Sequence, residues 1–355
     1  MPNLYKGPRT SVQTSQYSSM EKHIIWISAL SLYAGIANAA ALKCKNGNAD
    51  IDWAIFYVIP GQQNAHAIYG SQTPAWEAAP VDLTAADGVL DGLFKPYYTA
   101  ATKVNYNLIA YSDYPPFHRE PSKCASPVRG VLGYTDSDGW WLSHSIDKWP
   151  DMQAAAFAAP PAGGAGLIVC VTLPVSEMGR WGTALNYQNP MIYYFQSAAA
   201  GTANALVDKK ELNDLTIPPA PIFSPFVRKE EFQIPNGLKY SVFSMLPQAK
   251  QDIYSAYIAL ALQTKLIVYT TYTVENVKAQ TITVNGAQIT RSEDSSRWAI
   301  SKANNAKAVF CICGNDRRKN AIGSGGGALC LHQQTVHQLF RAMVSNKDIE
   351  ACKTT

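Results

Sequence analysis

Short runs of β-branched and aromatic residues, each cut off by proline or glycine, set the rhythm of the first half of this chain. Ile51 to Ile59 reads IDWAIFYVI and stops at Pro60. Tyr106 to Ser112 reads YNLIAYS and runs toward Pro115-Pro116. Such residues pack well on a pleated surface, so both runs predict strands. Val131 to Tyr134 and Trp140 to Ser143 flank Ser137-Asp138-Gly139, which predicts a hairpin turn. Leu167 to Leu173 and Met191 to Phe195 add two more strands. The stretch Ala154 to Gly166 is Ala, Pro and Gly, a loop rather than a helix.

The second half mixes two periods. Leu238 to Met245 predicts a strand. Asp252 to Gln263 predicts a helix, because Ile253, Tyr254, Tyr257, Ile258, Ala261 and Leu262 fall on one face. Leu266 to Tyr272 follows as a strand. Thr281 to Val284 and Gln288 to Thr290 flank Asn285-Gly286, a strong hairpin signal. Val309 to Ile312 is a short strand, and Gln334 to Val344 a closing amphipathic helix with Val336, Leu339, Phe340 and Met343 inward. The class expected is α/β (α+β) with much antiparallel pairing. The Pro-rich connection Ile217 to Pro225 is the expected boundary, giving halves 40–216 and 217–355 behind an N-terminal segment 1–39.

Composition changes this picture only at the N-terminus. Glu21-Lys22-His23 precedes an uncharged apolar stretch, Ile24 to Ala37, and then the small-x-small pattern Ala37-Asn38-Ala39. That order is the n-region, h-region and cleavage site of a secretory signal peptide, too short to span a bilayer comfortably. A buried N-terminal helix is the alternative. Met20 stands where such a signal would start, and residues 1–19 are polar. Segment 1–39 is therefore expected to be absent from a mature, exported chain. The formal charge of +4 is too mild to identify a partner. Export makes disulfides plausible among the seven cysteines, and an odd count leaves one over. Cys311 and Cys313 form a C-x-C, weak as a metal signal without partners nearby. No metal and no cofactor is expected.

Several blocks of residues then resemble one family. Cys44, Asp52-Trp53, Tyr57 and Pro60 resemble an opening of cysteine, V-D-W and Y-K-x-P. Tyr111-Ser112-Asp113-Tyr114-Pro115-Pro116 resembles Y-N-D-x-P-P. Gly130-Val131-Leu132, then Gly139-Trp140-Trp141-Leu142-Ser143-His144-Ser145, resembles G-V-L and G-F-W-L-V-H-S, continued by Asp147-Lys148-Trp149-Pro150. Asp252-Ile253-Tyr254-Ser255 resembles D-L-Y-S, and Gly325 to Cys330 resembles G-G-G-x-x-C. In this order the blocks are similar to deoxyribonuclease II. The resemblance implies a phospholipase-D-like pseudo-dimer of two β-sheet halves flanked by helices. Each half would bring one H-x-K motif to a shared site. Cleavage would need no metal and proceed in acid: one histidine attacks phosphorus, the other protonates the leaving 5′ oxygen, and lysines hold the phosphate. Splitting one hard step into two through a covalent intermediate suits a poor leaving group.

This sequence departs from the family at those motifs. The first reads Pro127-Val128-Arg129 and the second, within D-H-S-K-W, reads Asp294-Ser295-Ser296-Arg297-Trp298. Pro127 and Ser295 replace the histidines; Arg129 and Arg297 replace the lysines. The family's C-x-G-D-x-N-R reads Cys311-Ile312-Cys313-Gly314-Asn315-Asp316-Arg317, so Gly314 replaces the aspartate and Asp316 the asparagine. Arg317, His144 and Lys148 are kept. Guanidinium pairs well with phosphate, so Arg129, Arg297, Arg317 and Lys148 are candidate phosphate ligands, against the alternative of surface arginines or salt bridges. His144 is a candidate surviving site residue or a half-buried structural histidine. Ser295 has no histidine near it in sequence to activate it. Ser324 to Gly327 is expected to be a flexible loop rather than a phosphate cradle. His332 and His337 are expected on the surface, and Arg317-Arg318-Lys319 on a solvated face. The resemblance implies disulfides Cys44–Cys170 and Cys311–Cys330, and leaves Cys124, Cys313 and Cys352 without assigned partners. Three functions stay open: a secreted pseudoenzyme that binds DNA or another polyanion, an acid endonuclease with residual activity, and an interaction protein without a nucleic-acid role. Secretion is the expected location and the lysosome the alternative.

Overall fold

The strands of this chain sort by sequence into two antiparallel sheets that enclose a common core. The computed structural model describes residues 42–99, 103–123, 126–200, 202, 204–217, 221–234, 237–271, 276–303, 305–317 and 323–350. The expected signal segment 1–39, Cys124, Arg318-Lys319 and Cys352 lie outside the described residues.

The first half opens with a small ribbon of β1 (Cys44–Asn46) and β2 (Ala49–Ile51). It continues with β3 (Trp53–Val58), β4 (Asn64–Tyr69), β5 (Val81–Asp82), β6 (Asn107–Tyr111), β7 (Gly130–Tyr134), β8 (Asp138–His144), β9 (Gly166–Pro174) and β10 (Ile192–Gln196). These last eight form one sheet in the order β10-β6-β7-β8-β9-β3-β4-β5. The second sheet takes β11 (Val227–Gln233), β12 (Lys239–Met245), β13 (Leu266–Tyr269), β16 (Trp298–Ser301), β17 (Phe310–Cys313) and β18 (Gly326–Leu331), in the order β11-β12-β18-β17-β16-β13. Between β13 and β16, β14 (Thr281–Val284) and β15 (Ala287–Thr290) make the hairpin that Asn285-Gly286 predicts, with both turn residues at positive φ.

Burial explains why β3 is an unbroken apolar run: all six residues are covered, as in a central strand with both faces packed. Alternation still divides them. Ile55 and Tyr57 join the core between the sheets, while Ala54, Phe56 and Val58 face the layer built on α1 (Asp91–Tyr98). In β12, Tyr240 and Val242 turn to the common core, and Phe243 and Met245 turn to the Ile253–Ile258 segment. Two helices complete the common core. Trp181 of α2 (Met178–Gln188) stacks on Phe232 at 4.7 Å and on Tyr240 at 5.9 Å. Phe340 of α3 (Gln334–Ala342) meets Tyr57 of the first sheet at 6.4 Å and Phe310 of the second at 4.0 Å. The result is the mixed α/β class with antiparallel sheets and few helices that was expected. No helix among the described residues is long and apolar enough to cross a membrane.

Both expected disulfides are present. Cys44–Cys170 joins the opening ribbon to β9 across 126 residues. Cys311–Cys330 joins directly paired positions of β17 and β18 across 19 residues. In the chain-entropy view these closures stabilise by roughly 5 and 3 kcal/mol. Cys313 is free and buried, which pushes its thiol up to about 12.

Several local expectations need correction. The helix at Asp252 opens as a π-helical turn over Ile253–Ile258 and becomes α-helical only at Ala259–Ala261. Asp252 caps the Tyr254 and Ser255 N–H groups, and the buried Tyr254 hydroxyl donates to the Asn315 carbonyl. The strand from Leu266 ends at Tyr269, not Tyr272. Gly326 and Gly327 are not a flexible loop but the buried start of β18. A side chain on Gly327 would meet the buried Gln188 amide at 2.3 Å, so the β18 backbone and α2 approach closely there. His337 is not a surface residue: it is 1% exposed, with Nε2 2.7 Å from the Ser301 carbonyl. His332 is half-buried, with Nε2 2.8 Å from Ser241 Oγ.

Candidate functional site

The two sheets meet where the chain enters β9 and where it enters β16. Ala165 and Asp294 form a parallel bridge there: the Ala165 N–H donates to the Glu293 carbonyl (2.5 Å), and the Ser295 N–H donates to the Ala165 carbonyl (3.0 Å). Asp294 is 2% exposed and accepts a 2.6 Å hydrogen bond from Tyr57 Oη of β3. Tyr57 Oη also lies 2.6 Å from Ser296 Oγ. Burial pushes the Asp294 carboxyl above its usual range, and the bonds from Tyr57 and Ser296 oppose that push.

Beside this seam sits the first motif segment, leading into β7. Arg129 is 4% exposed. Its Nε donates to Asp113 Oδ1 at 2.5 Å; Nη1 donates to the Ser145 carbonyl at 2.8 Å and to Asp147 Oδ1. Burial works against the charge, but Asp113 and Asp147 outweigh it and hold the guanidinium above its ordinary range. Arg129 is thus the anchor of two loops, 113–123 and 145–150, rather than an open cation. The second segment is equally engaged. Ser295 Oγ donates to the Ala165 carbonyl at 2.9 Å and lies 3.3 Å from Ser145 Oγ. Arg297 donates from Nη1 to the Gly314 carbonyl at 2.6 Å, with Nε 3.1 Å from Asp316 Oδ1.

Gly314 closes the circuit between the motifs. A carbon placed on it would lie 2.7 Å from the Pro127 carbonyl oxygen and 2.9 Å from Val128 Cα. The backbone at 127–128 therefore fills the space an aspartate side chain would need. Contacts run from Arg129 through Ser145 to Ser295, and from Arg297 through Gly314 to Pro127, so all four motif positions belong to one network. Arg317 stands further out, 3.0 Å from Asp252 Oδ2. Lys148 is exposed, its Nζ 5.2 Å from the centre of the Tyr114 ring.

His144 lies beneath this network, 4% exposed, its ring 5.1 Å from that of Trp149. Neither ring nitrogen makes a well-formed hydrogen bond among the described residues. Burial, and then the charge of Arg129, push the imidazole well below its ordinary 6.5, against a weak backbone contact at Ile146. The cavity around it is small, about 10 Å³, between Tyr111, Arg129, Ser143 and Gln188 on one side and Gly314 and Gly327 on the other. The open cleft at the seam is much larger, about 800 Å³, and is lined by Pro60, Asp147, Pro161, Glu293, Asp294 and Ser295 among others, with no basic side chain among the described residues.

Sequence reasoning named Pro127, Arg129, Ser295, Arg297 and His144 but missed Asp113, Asp147 and Ser145 as their partners, and missed Tyr57 as the partner of Asp294. Three of these sit in the blocks Y-S-D-Y-P-P and H-S-x-D-K-W-P. An arginine in place of a lysine, together with two such aspartates, is the signal for a charge cluster.

Two expectations follow. Removing one partner of a buried ion pair strands the other, so Asp113→Ala should cost about 3–5 kcal/mol. Asp147, whose side chain is 57% exposed, should cost under about 1 kcal/mol as Asp147→Ala. Urea unfolding of the two variants checks the order; equal losses would contradict the geometry. The histidine gives a pH effect. Because the folded-state pKa of His144 lies below its unfolded 6.5, the unfolded chain takes up a proton first. This contribution is complete above pH 6.5 and is lost as pH falls below it, at no more than about 1.4 kcal/mol per pH unit. His144→Gln should therefore flatten the acid limb of stability against pH, measured by denaturant midpoints.

The comparisons with known proteins agree with this architecture. The family model described as Deoxyribonuclease II matches residues 43–352. Plancitoxin-1 of Acanthaster planci is 24% identical over 348 residues, covering 89% of this chain and 94% of that protein. Human Deoxyribonuclease-2-beta is 24% identical over 351 residues, covering 90% and 94%. Cell death-related nuclease 6 of Caenorhabditis elegans is 21% identical over 345 residues, covering 88% and 90%. A match running from residue 43 to residue 352 takes in both sheets and the seam between them, and on that extent the chain belongs to the deoxyribonuclease II family.

Proposed function

We propose that this chain is an exported deoxyribonuclease II homologue whose hydrolytic chemistry is impaired. One observation carries the reading: among the described residues, the network joining the two motif segments contains no histidine with a nitrogen open to a substrate. Pro127 has no titratable side chain. Ser295 hydrogen-bonds to a carbonyl and a second hydroxyl, neither of which is a base. His144 is the histidine beside them, and it is buried and held neutral. A phosphodiester needs both a nucleophile and a proton donor at the reacting atoms, and geometry comes before pKa in assigning either. The cations are also poorly placed for substrate. Arg129, Arg297 and Arg317 each face a carboxylate, and the cleft at the seam is acidic. Binding of DNA or another polyanion is therefore better supported on other surfaces than at the motif arginines.

A plasmid nicking assay at acid pH, in chelator, tests the reading. Loss of a catalytic nucleophile typically removes about four or more orders of magnitude in rate, and losses within one catalytic unit are not additive. The expected rate is below roughly one ten-thousandth that of an intact family member. Robust nicking that disappears in His144→Ala would overturn the proposal in favour of a site rebuilt around His144. The export part of the reading rests on the Glu21 to Ala39 pattern. N-terminal sequencing of chain recovered outside the producing cell should begin at Ala40; chain retaining residues 1–39 there would refute the signal peptide.

A further inference from the structure

We propose that the exposed loop 113–123, together with Lys148, is a docking surface for single-stranded nucleic acid. The inference rests on the reading that the chain keeps some affinity for polyanions, and moves that affinity away from the motif arginines. The loop is held in place from below. Asp113 at its start is bound to buried Arg129, and the Ser122 N–H donates to the Asp113 carbonyl at 2.7 Å, closing the loop on itself. Asp147, at the base of the neighbouring loop, is bound to the same guanidinium. Arg129 thus sets the two loops side by side. The Lys148 N–H donates to the Tyr114 carbonyl at 3.0 Å, and Tyr114 Oη donates to the Arg119 carbonyl at 2.9 Å.

What this frame presents to solvent is a mixture of rings and cations. Phe117 is 53% exposed, unusual for a large apolar residue on a tethered loop. Tyr114 is half-buried, with Lys148 Nζ over its ring. Arg119, Lys123 and Lys148 are exposed and make no ion pair among the described residues. Glu120 on the loop and Asp147 beside Lys148 are the exposed acids of this surface, against three exposed cations. Cations alone fit any polyanion. An exposed aromatic ring beside them fits a strand whose bases are unstacked, because every base has a face to lay on a ring. Duplex DNA hides those faces, and a sulfated glycan has none.

The test uses the full chain and a short labelled oligothymidylate, followed by fluorescence anisotropy across about 50 to 200 mM salt. Phe117→Ala should weaken binding between about fivefold and a hundredfold. Lys148→Ala should lower the slope of log affinity on log salt by about 0.7, one phosphate contact on a single strand. Lys302→Ala, an exposed lysine on the second sheet, serves as the charge control and should leave the slope unchanged. The assignment fails if Phe117→Ala binds as the parent does, if Lys302→Ala matches Lys148→Ala, or if phosphatidylserine vesicles capture the protein more tightly than the oligonucleotide. No binding even at the lowest salt would sink both this surface and the polyanion part of the functional reading. The nicking rate is measured separately and stands or falls without it.

Discussion

A full positive charge with 4% of its surface exposed is the constraint around which this molecule is arranged. Burying an arginine costs several kcal/mol unless its donors are matched. Arg129 meets that requirement with two carboxylates and a carbonyl, drawn from two separate stretches of chain. Asp113 follows β6, while Ser145 and Asp147 follow β8. The guanidinium therefore fixes how the loops at the end of three neighbouring strands lie against one another. A lysine in the same place, with one compact ammonium, could not reach three acceptors in a fork. The arginine at 129 thus has a structural task of its own, independent of any substrate.

The same logic ties the other departures together. Gly314 is compatible with the 127–128 backbone only because it has no side chain. Asp316 is buried and sits 3.1 Å from Arg297, so the second motif arginine has gained an internal carboxylate as the first has. Residues 127, 129, 297, 314 and 316 thus form one packed and charge-matched set. A side chain at 314 would meet the 127–128 backbone, and losing either arginine would strand its carboxylate.

The fold was legible where the hydrophobic period was clean. The alternation in Leu238 to Met245 and the Asn285-Gly286 turn each gave the right element, because local sterics and burial agree there. The runs IDWAIFYVI and LIVCVTL announced strands without showing which face was which; burial on both sides erases the alternation. The π-helical turn at Ile253 was not legible, since a 3.6-residue period and a slightly wider one share the same apolar positions over six residues. The triple glycine misled for a different reason. Glycine is read as flexibility, and here it marks close approach of α2 and of Asn315 to β18. At the candidate site, residue identities were readable by resemblance, but partners were not. Tyr57 and Asp294 are 237 residues apart, and nothing local says that they share a hydrogen bond.

That pair and His144 respond to acid in opposite senses, which bears on any life in an acidic compartment. The Asp294 carboxyl is raised by burial, so the folded chain takes up its proton before the unfolded chain does, and the seam gains stability as pH falls through that raised value. His144 is lowered, so the folded chain resists its proton and loses stability as pH falls below the ordinary histidine value. Tyr57 keeps its proton throughout, because burial and then the Asp294 charge push the phenol far up. The hydrogen bond from Tyr57 to Asp294 therefore persists on either side of the aspartate titration. It joins the sheets as a bond from the phenol to the Asp294 carboxyl. A junction of that kind stays closed in acid even where the buried histidine next to it does not favour the fold.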